Sequence, residues 1–236
     1  LPDLSAFNAD IDVQTRDLGI GNPTADLLLR GAGSLDLSAS RSAGGIAVRN
    51  LAARTNNVTI NGSVDAGDNG NSRGQFDATL RDVGIFTDQL NGPVTASGTT
   101  TISASGDIGL NISGTGPGGI TVQAGGNVAT GGNLNLNVDG TVPLALANPT
   151  IAPRNIDGTA TVDLAINGPA ALESVSGRVS LNGARLSAPT LSQALEDITG
   201  SVALANGTAQ VNISGDVQSG GSVAINGPVG LTGSLN

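Results

Sequence analysis

Aliphatic and polar residues alternate along most of this chain with a period of two. Thr159-Ala-Thr-Val-Asp-Leu-Ala-Ile at 159–166 and Leu134-Asn-Leu-Asn-Val at 134–138 are representative. Such alternation places successive side chains on opposite faces of an extended backbone. It predicts strand after strand, each with one apolar face.

Glycine and proline punctuate the pattern. One local unit reads aliphatic residue, any residue, Gly, then alternating apolar positions. It occurs at Leu90-Asn91-Gly92, Ile156-Asp157-Gly158, Val175-Ser176-Gly177 and Ile198-Thr199-Gly200. Gly inside a strand pattern marks a bulge, a bend or a close approach of two backbones. A second unit is Asn-Ile-Ser-Gly, a Gly pair and another strand, at 111–122 and again at 212–225. A looser copy uses Gly44-Gly45. A strand, a short Gly-bearing loop and a strand predict a hairpin. Asn-Gly-Pro at Asn91, Asn167 and Asn226 marks strand entries or edges, because proline cannot donate to a ladder. Copies recur at irregular intervals, unlike the fixed period of a propeller or leucine-rich repeat. Asn148 to Pro153, with two prolines, is the best candidate for a break, yet strand patterning is alike on both sides of it.

One or two short helices are expected. Thr190 to Gln193 fits a capping box, and Leu191, Ala194, Leu195 and Ile198 then share one helical face before Gly200. Asp82 to Leu90 is a weaker case. The fold class expected is therefore all-β: an elongated, curled antiparallel sheet with an apolar inner face and one or two short helices, over residues 1–236 as one β-rich segment of a larger protein. Leu1 is no initiator, which points to a fragment or a processed product.

Composition narrows what such a sheet can do. The 236 residues include no Cys, Met, Trp, Tyr or His, and every one of the 10 basic residues is Arg. The net charge is -9, carried by Asp with only Glu173 and Glu196 beside it. An acidic chain without basic clusters or stacking aromatics is a poor nucleic-acid partner. With three aromatic residues, Phe7, Phe76 and Phe86, the strands form a thin aliphatic layer and no bulky core.

Catalysis needs a base, a nucleophile or a metal. His, Cys and Lys are missing, and Asp10, Asp12, Asp36 and Asp163 sit singly at solvent-face positions. No enzymatic activity, cofactor or metal is expected. The stretch Asp65 to Asn71 glances at a calcium loop, but Gly67 and Phe76 occupy its third and twelfth positions, and a plain turn explains it. The Gly pairs lack the Lys and helix of a phosphate loop.

Residues 155–235 resemble the C-terminal region of the TamB family (translocation and assembly module). Val175 to Pro189, the following Thr190 to Asp197, Ile198 to Gly207 and the closing Gly220 to Leu231 carry the resemblance. Ala78 to Gly98 resembles the same family's repeat unit, while residues 99–140 match less well. The resemblance implies membership of the AsmA-like, bridge-like lipid-transfer group, with a taco-shaped sheet. It implies an inner-membrane anchor outside this segment and a reach across the periplasm to an Omp85-type, TamA-like outer-membrane partner. It also implies a part in phospholipid movement and in assembly of outer-membrane proteins and autotransporters.

On that reading the alternation assigns the groove lining. Val162, Leu164, Ile166, Val179, Leu181, Val202, Leu204, Val211, Ile213, Val223 and Ile225 face phospholipid acyl chains or client strands. Asp163, Asn167, Ser180 and Asn212 face water. The rival reading is a secreted β-helical adhesin or autotransporter passenger, a structural filament with a sealed aliphatic core. Gly119 to Val128 and Gly132 to Val138 resemble haemagglutinin-type repeats.

Overall fold

The computed structural model describes residues 6–86, 90–188 and 193–231. The chain divides into two compact units, Leu1–Pro117 and Gly118–Asn236. Both are built of antiparallel strands that follow one another in chain order, as the period-two alternation requires.

The first unit holds β1 (Phe7–Arg16), β2 (Ala32–Ser42), β3 (Gly45–Arg54), β4 (Val58–Gly67), β5 (Ser72–Leu80), β6 (Val94–Ile102) and β7 (Ile108–Gly116). Each pairs with the next. Gly44-Gly45 turns β2 into β3, and the Asp65–Asn71 stretch turns β4 into β5. In that turn the Asn71 amide donates to the Asn69 side chain at 3.0 Å and the Gly67 amide to the Asn71 carbonyl at 2.8 Å.

The second unit holds β8 (Ile120–Val128), β9 (Leu134–Pro143), β10 (Asn155–Asp157), β11 (Thr159–Gly168), β12 (Val175–Ala188), β13 (Gln193–Ala205), β14 (Thr208–Val217) and β15 (Ser222–Gly230). Its sheet order is β8, β9, β11, β12, β13, β14, β15. The short β10 pairs with the far half of β12, in line with β11, from which Gly158 separates it. Of the three Asn-Gly-Pro marks, Pro93 precedes β6, Pro169 follows β11, and Pro228 lies inside β15, whose one strand neighbour is β14.

The helices differ from expectation. Residues 193–197, placed above in a capped helix, belong to β13, with Asp197 alone left-handed at φ 48°; Thr190 and Leu191 lie outside the described residues. Ladder pairing won: Gln193, Ala194 and Leu195 pair with Ala188, Ser187 and Leu186. The helical spacing of Leu195 and Ile198 has another cause. A bulge between Glu196 and Thr199 inserts an extra residue, so two apolar positions three apart both reach one side of the sheet. In the Asp82–Leu90 stretch only Val83–Ile85 forms a single 3-10 turn, and residues 87–89 lie outside the described ones.

Two short helices lie elsewhere, and the longer is α1 (Pro23–Leu29). Its signal is Asn22-Pro23. The Asn22 side chain accepts from the Thr24 and Ala25 amides at 3.1 and 3.2 Å, and Pro23 takes the first turn, where no amide is needed. Thr55 and Asn57 side chains hold its last carbonyls at 2.7 and 2.8 Å. The proline-rich break becomes a 3-10 turn, Leu144–Ala147, running into α2 (Asn148–Ile151).

Candidate functional site

Cross-strand partners in a sheet project to the same side. The registers of the second unit therefore fix which side chains share a face. One row runs Gly140, Val162, Val179, Val202, Val211, Gly227 from β9 to β15. The next runs Val142, Ala160, Leu181, Gly200, Ile213, Ile225. A third runs Val138, Leu164, Gly177, Leu204, Ala209, Val229. Ile166 lies between Leu136 and Val175, and Val223 lies opposite Gly215. All eleven positions named from the alternation thus lie on one face of one sheet.

The opposite face is polar. Thr121, Thr141, Thr161, Ser180, Ser201, Asn212 and Asn226 form one row across seven strands. The Thr121 and Thr141 hydroxyls bond at 2.7 Å. Asp163, Asn167 and Asn212 are exposed, whereas Ser180 is half-buried between its strand neighbours.

Among the described residues no large side chain is fully buried. The buried apolar residues of this unit are Ala160, Ala184, Ala194, Ile198 and Ala209. Nine of the eleven named positions are half-buried, and Val223 and Ile225 on the edge strand are 40% and 59% exposed.

Glycine shapes the face. Gly177 and Gly200 lie within β12 and β13 at φ 125° and 146°, a conformation that L side chains rarely adopt. A Cβ at Gly177 would overlap the Asp163 carbonyl oxygen on β11, and one at Gly200 the Asn212 carbonyl oxygen on β14. Both are mid-strand instances of the aliphatic-x-Gly unit, and both show the close backbone approach it foretold. Each leaves a gap in the apolar row beside larger residues: Leu164 and Leu204 flank Gly177, while Leu181 and Ile213 flank Gly200.

The apolar face holds a cavity of about 340 Å³. Val138, Leu164, Ile166 and Leu204 line its floor, Leu172 reaches it from the 3-10 turn Leu172–Ser174, and Leu231 reaches it from just past β15. Laid flat, the strands from β9 to β15 would span about 24 Å at about 4.8 Å per neighbour, so the apolar face is concave here. Leu172, Val175 and Leu231 were not singled out from sequence. Leu172 and Leu231 stand outside the strands, where a period-two pattern carries no information.

The cavities of the first unit are lined mainly by polar groups. One of about 380 Å³ is bordered by Asn8, Ser40, Arg41 and Asp65, and one of about 550 Å³ by Ser63, Gln75, Asp77 and Thr99. Arg49, at a bulge in β3, borders both. Charge is spread thinly. Arg185 meets Glu196 at 3.2 Å and Arg54 meets Asp36 at 4.0 Å, both pairs exposed. Asp82 accepts from the Gly92 and Gly84 amides at 2.8 and 2.9 Å, and these bonds, Gly92 first, hold its carboxyl below its ordinary value of 3.8. Among the described residues no group of His, Cys, Asp and Glu could hold a metal ion, and no helix is long and apolar enough to cross a membrane.

No protein family, curated protein or solved structure matches this chain.

Proposed function

We propose that this chain is a TamB-like segment of a periplasmic bridge between inner and outer membranes. Its apolar sheet face carries phospholipid acyl chains, outer-membrane protein strands, or both, toward an Omp85-type partner. The observation that carries the reading is the second unit's face: three registered rows rich in Val, Leu and Ile, concave, with no large side chain fully buried among the described residues.

The energetics suit this task. Each CH₂ removed from water contributes about 0.8 kcal/mol, so a chain of a dozen carbons favours such a wall by about 10 kcal/mol before ordering costs. Smooth aliphatic side chains without Trp or Tyr give a ligand no fixed anchor along the rows, which suits sliding. Antiparallel pairing throughout supports a gutter over the sealed filament of a parallel β-helix.

The test is lipid retention by the chain purified from bacterial membranes and examined by native mass spectrometry. Bound phospholipid that is lost in Val202→Asp supports the reading. A lipid-free particle, unaltered in stability by detergent, overturns it and favours the adhesin filament.

A further inference from the structure

The second unit's cavity differs from the rest of the apolar face in being lined also by residues outside the strands. Leu172 comes over it from the turn between β11 and β12. Leu231 comes in from beyond β15, held where its amide donates to the Gly207 carbonyl at 2.8 Å. The side chains that line it are aliphatic apart from Thr208. A void of that chemistry takes hydrocarbon, since any polar group entering it would lose its water without gaining partners. Its size sets the length. An apolar cavity of about 150 Å³ holds the six carbons of benzene, so about 340 Å³ accommodates on the order of a dozen carbons.

The rim has a sign. Glu173 follows Leu172 and lies against Gly207, where an added methyl would stand 3.5 Å from its Cγ and 4.0 Å from its Oε1. Glu173 is exposed, and no Arg lines the cavity. A carboxylate at the rim favours an amine-bearing head over a purely anionic one.

We infer that this cavity is a seat for one hydrocarbon tail of an amphiphile whose head carries an amine, with Leu172 and Leu231 as the stop and Glu173 as the head-group contact. The inference rests on the gutter reading above and adds to it a defined terminus with a head-group preference.

The probe is lysophosphatidylethanolamine with a dodecanoyl chain carrying a terminal diazirine, compared with the same chain on lysophosphatidylglycerol. Photolabelling of the whole chain followed by peptide mapping gives the sites. The expected result is labelling concentrated at Leu164, Leu204 and Leu231. Labelling falls at least about tenfold in Leu204→Trp, which fills the void, or under excess dodecanol on the unaltered chain. The dodecanol arm stands even where the tryptophan variant misfolds. The ethanolamine probe labels about threefold better than the glycerol probe, the size expected of an exposed ion pair, and Glu173→Gln brings the ratio to about one. Label spread evenly over β11 to β15 overturns the seat and leaves the gutter standing. Absence of label anywhere on the apolar face overturns both. A ratio unmoved by Glu173→Gln overturns the head-group contact.

Discussion

The two units share one grammar and differ in what it encloses. In the first, the registers also sort side chains: Ile11, Leu37, Leu51, Phe76 and Ile112 share one row with Gly62 and Gly98, and Asp12, Asp36, Asn61, Asp77, Ser97 and Ser113 lie in a row on the other face. Yet only Ala52 is a buried apolar residue there among those described, against five in the second unit. The difference lies in the backbone. Left-handed glycines occur in β8, β11, β12, β13 and β15 of the second unit, at Gly126, Gly168, Gly177, Gly183, Gly200 and Gly227. In the strands of the first, the one such glycine is Gly45, the opening residue of β3. Alternation makes a two-faced sheet, and glycines within the strands let neighbouring backbones approach closely, as at Gly126, Gly177 and Gly200.

That contrast can be broken most forcefully at Ile198, which is 8% exposed and pairs with Ala184 at the bulge. Truncation in Ile198→Ala is expected to destabilise the second unit by about 2–5 kcal/mol, whereas Ile225→Ala on the exposed edge costs under about 1 kcal/mol. Urea unfolding followed by circular dichroism reads both. Equal effects would mean that burial does not separate these positions.

The glycine argument is sharpened by Gly200→Ala against Gly44→Ala. The first forces a side chain into φ 146° and onto a carbonyl, and costs about 1–3 kcal/mol or more in the same unfolding measurement. At Gly44 an added methyl meets only the Ser42 hydroxyl at 3.9 Å, and stability changes by less than about 0.5 kcal/mol. A tolerated Gly200→Ala would mean that the close approach of β13 and β14 does not demand glycine there.

Surface electrostatics enter last. Arg185→Ala breaks the pair with Glu196, and loses less than about 1 kcal/mol that shrinks further in 1 M salt, because both partners are exposed. In the first unit, Asp82 gives the loop before β6 a pH dependence. Its carboxyl is held below the unfolded value, so the stabilisation is complete above that value and is lost as pH falls through the folded one. Amide exchange at Gly84 and Gly92, corrected for its intrinsic pH dependence, is expected to quicken on acidification below about 3.8 in the native chain and to be pH-independent in Asp82→Asn.

The face assignment was legible in sequence because period two has one structural meaning. The order of Val162, Asp163 and Leu164 leaves no choice of sides once β11 is a strand. The stretch around Leu195 was misread for a physical reason: a bulge converts strand spacing into an apparent helical spacing over four residues. Asn22-Pro23 was a readable cap that the surrounding strand pattern obscured. The cavity's stops, Leu172 and Leu231, were beyond reach. Their position depends on where the chain turns after β11 and where it leaves β15, and neither is encoded in a local alternation.

The proposed function requires that hydrocarbon reach one face of the second unit's sheet and not the other. The chain has no cysteine, so single cysteines can be placed at Val202 on the apolar face and at Ser201 on the polar one, each carrying a bimane fluorophore. With vesicles of phosphatidylethanolamine bearing a doxyl group on the acyl chain, quenching is expected at position 202 and absent at 201. Equal quenching at the two positions, or none at 202, would contradict the account.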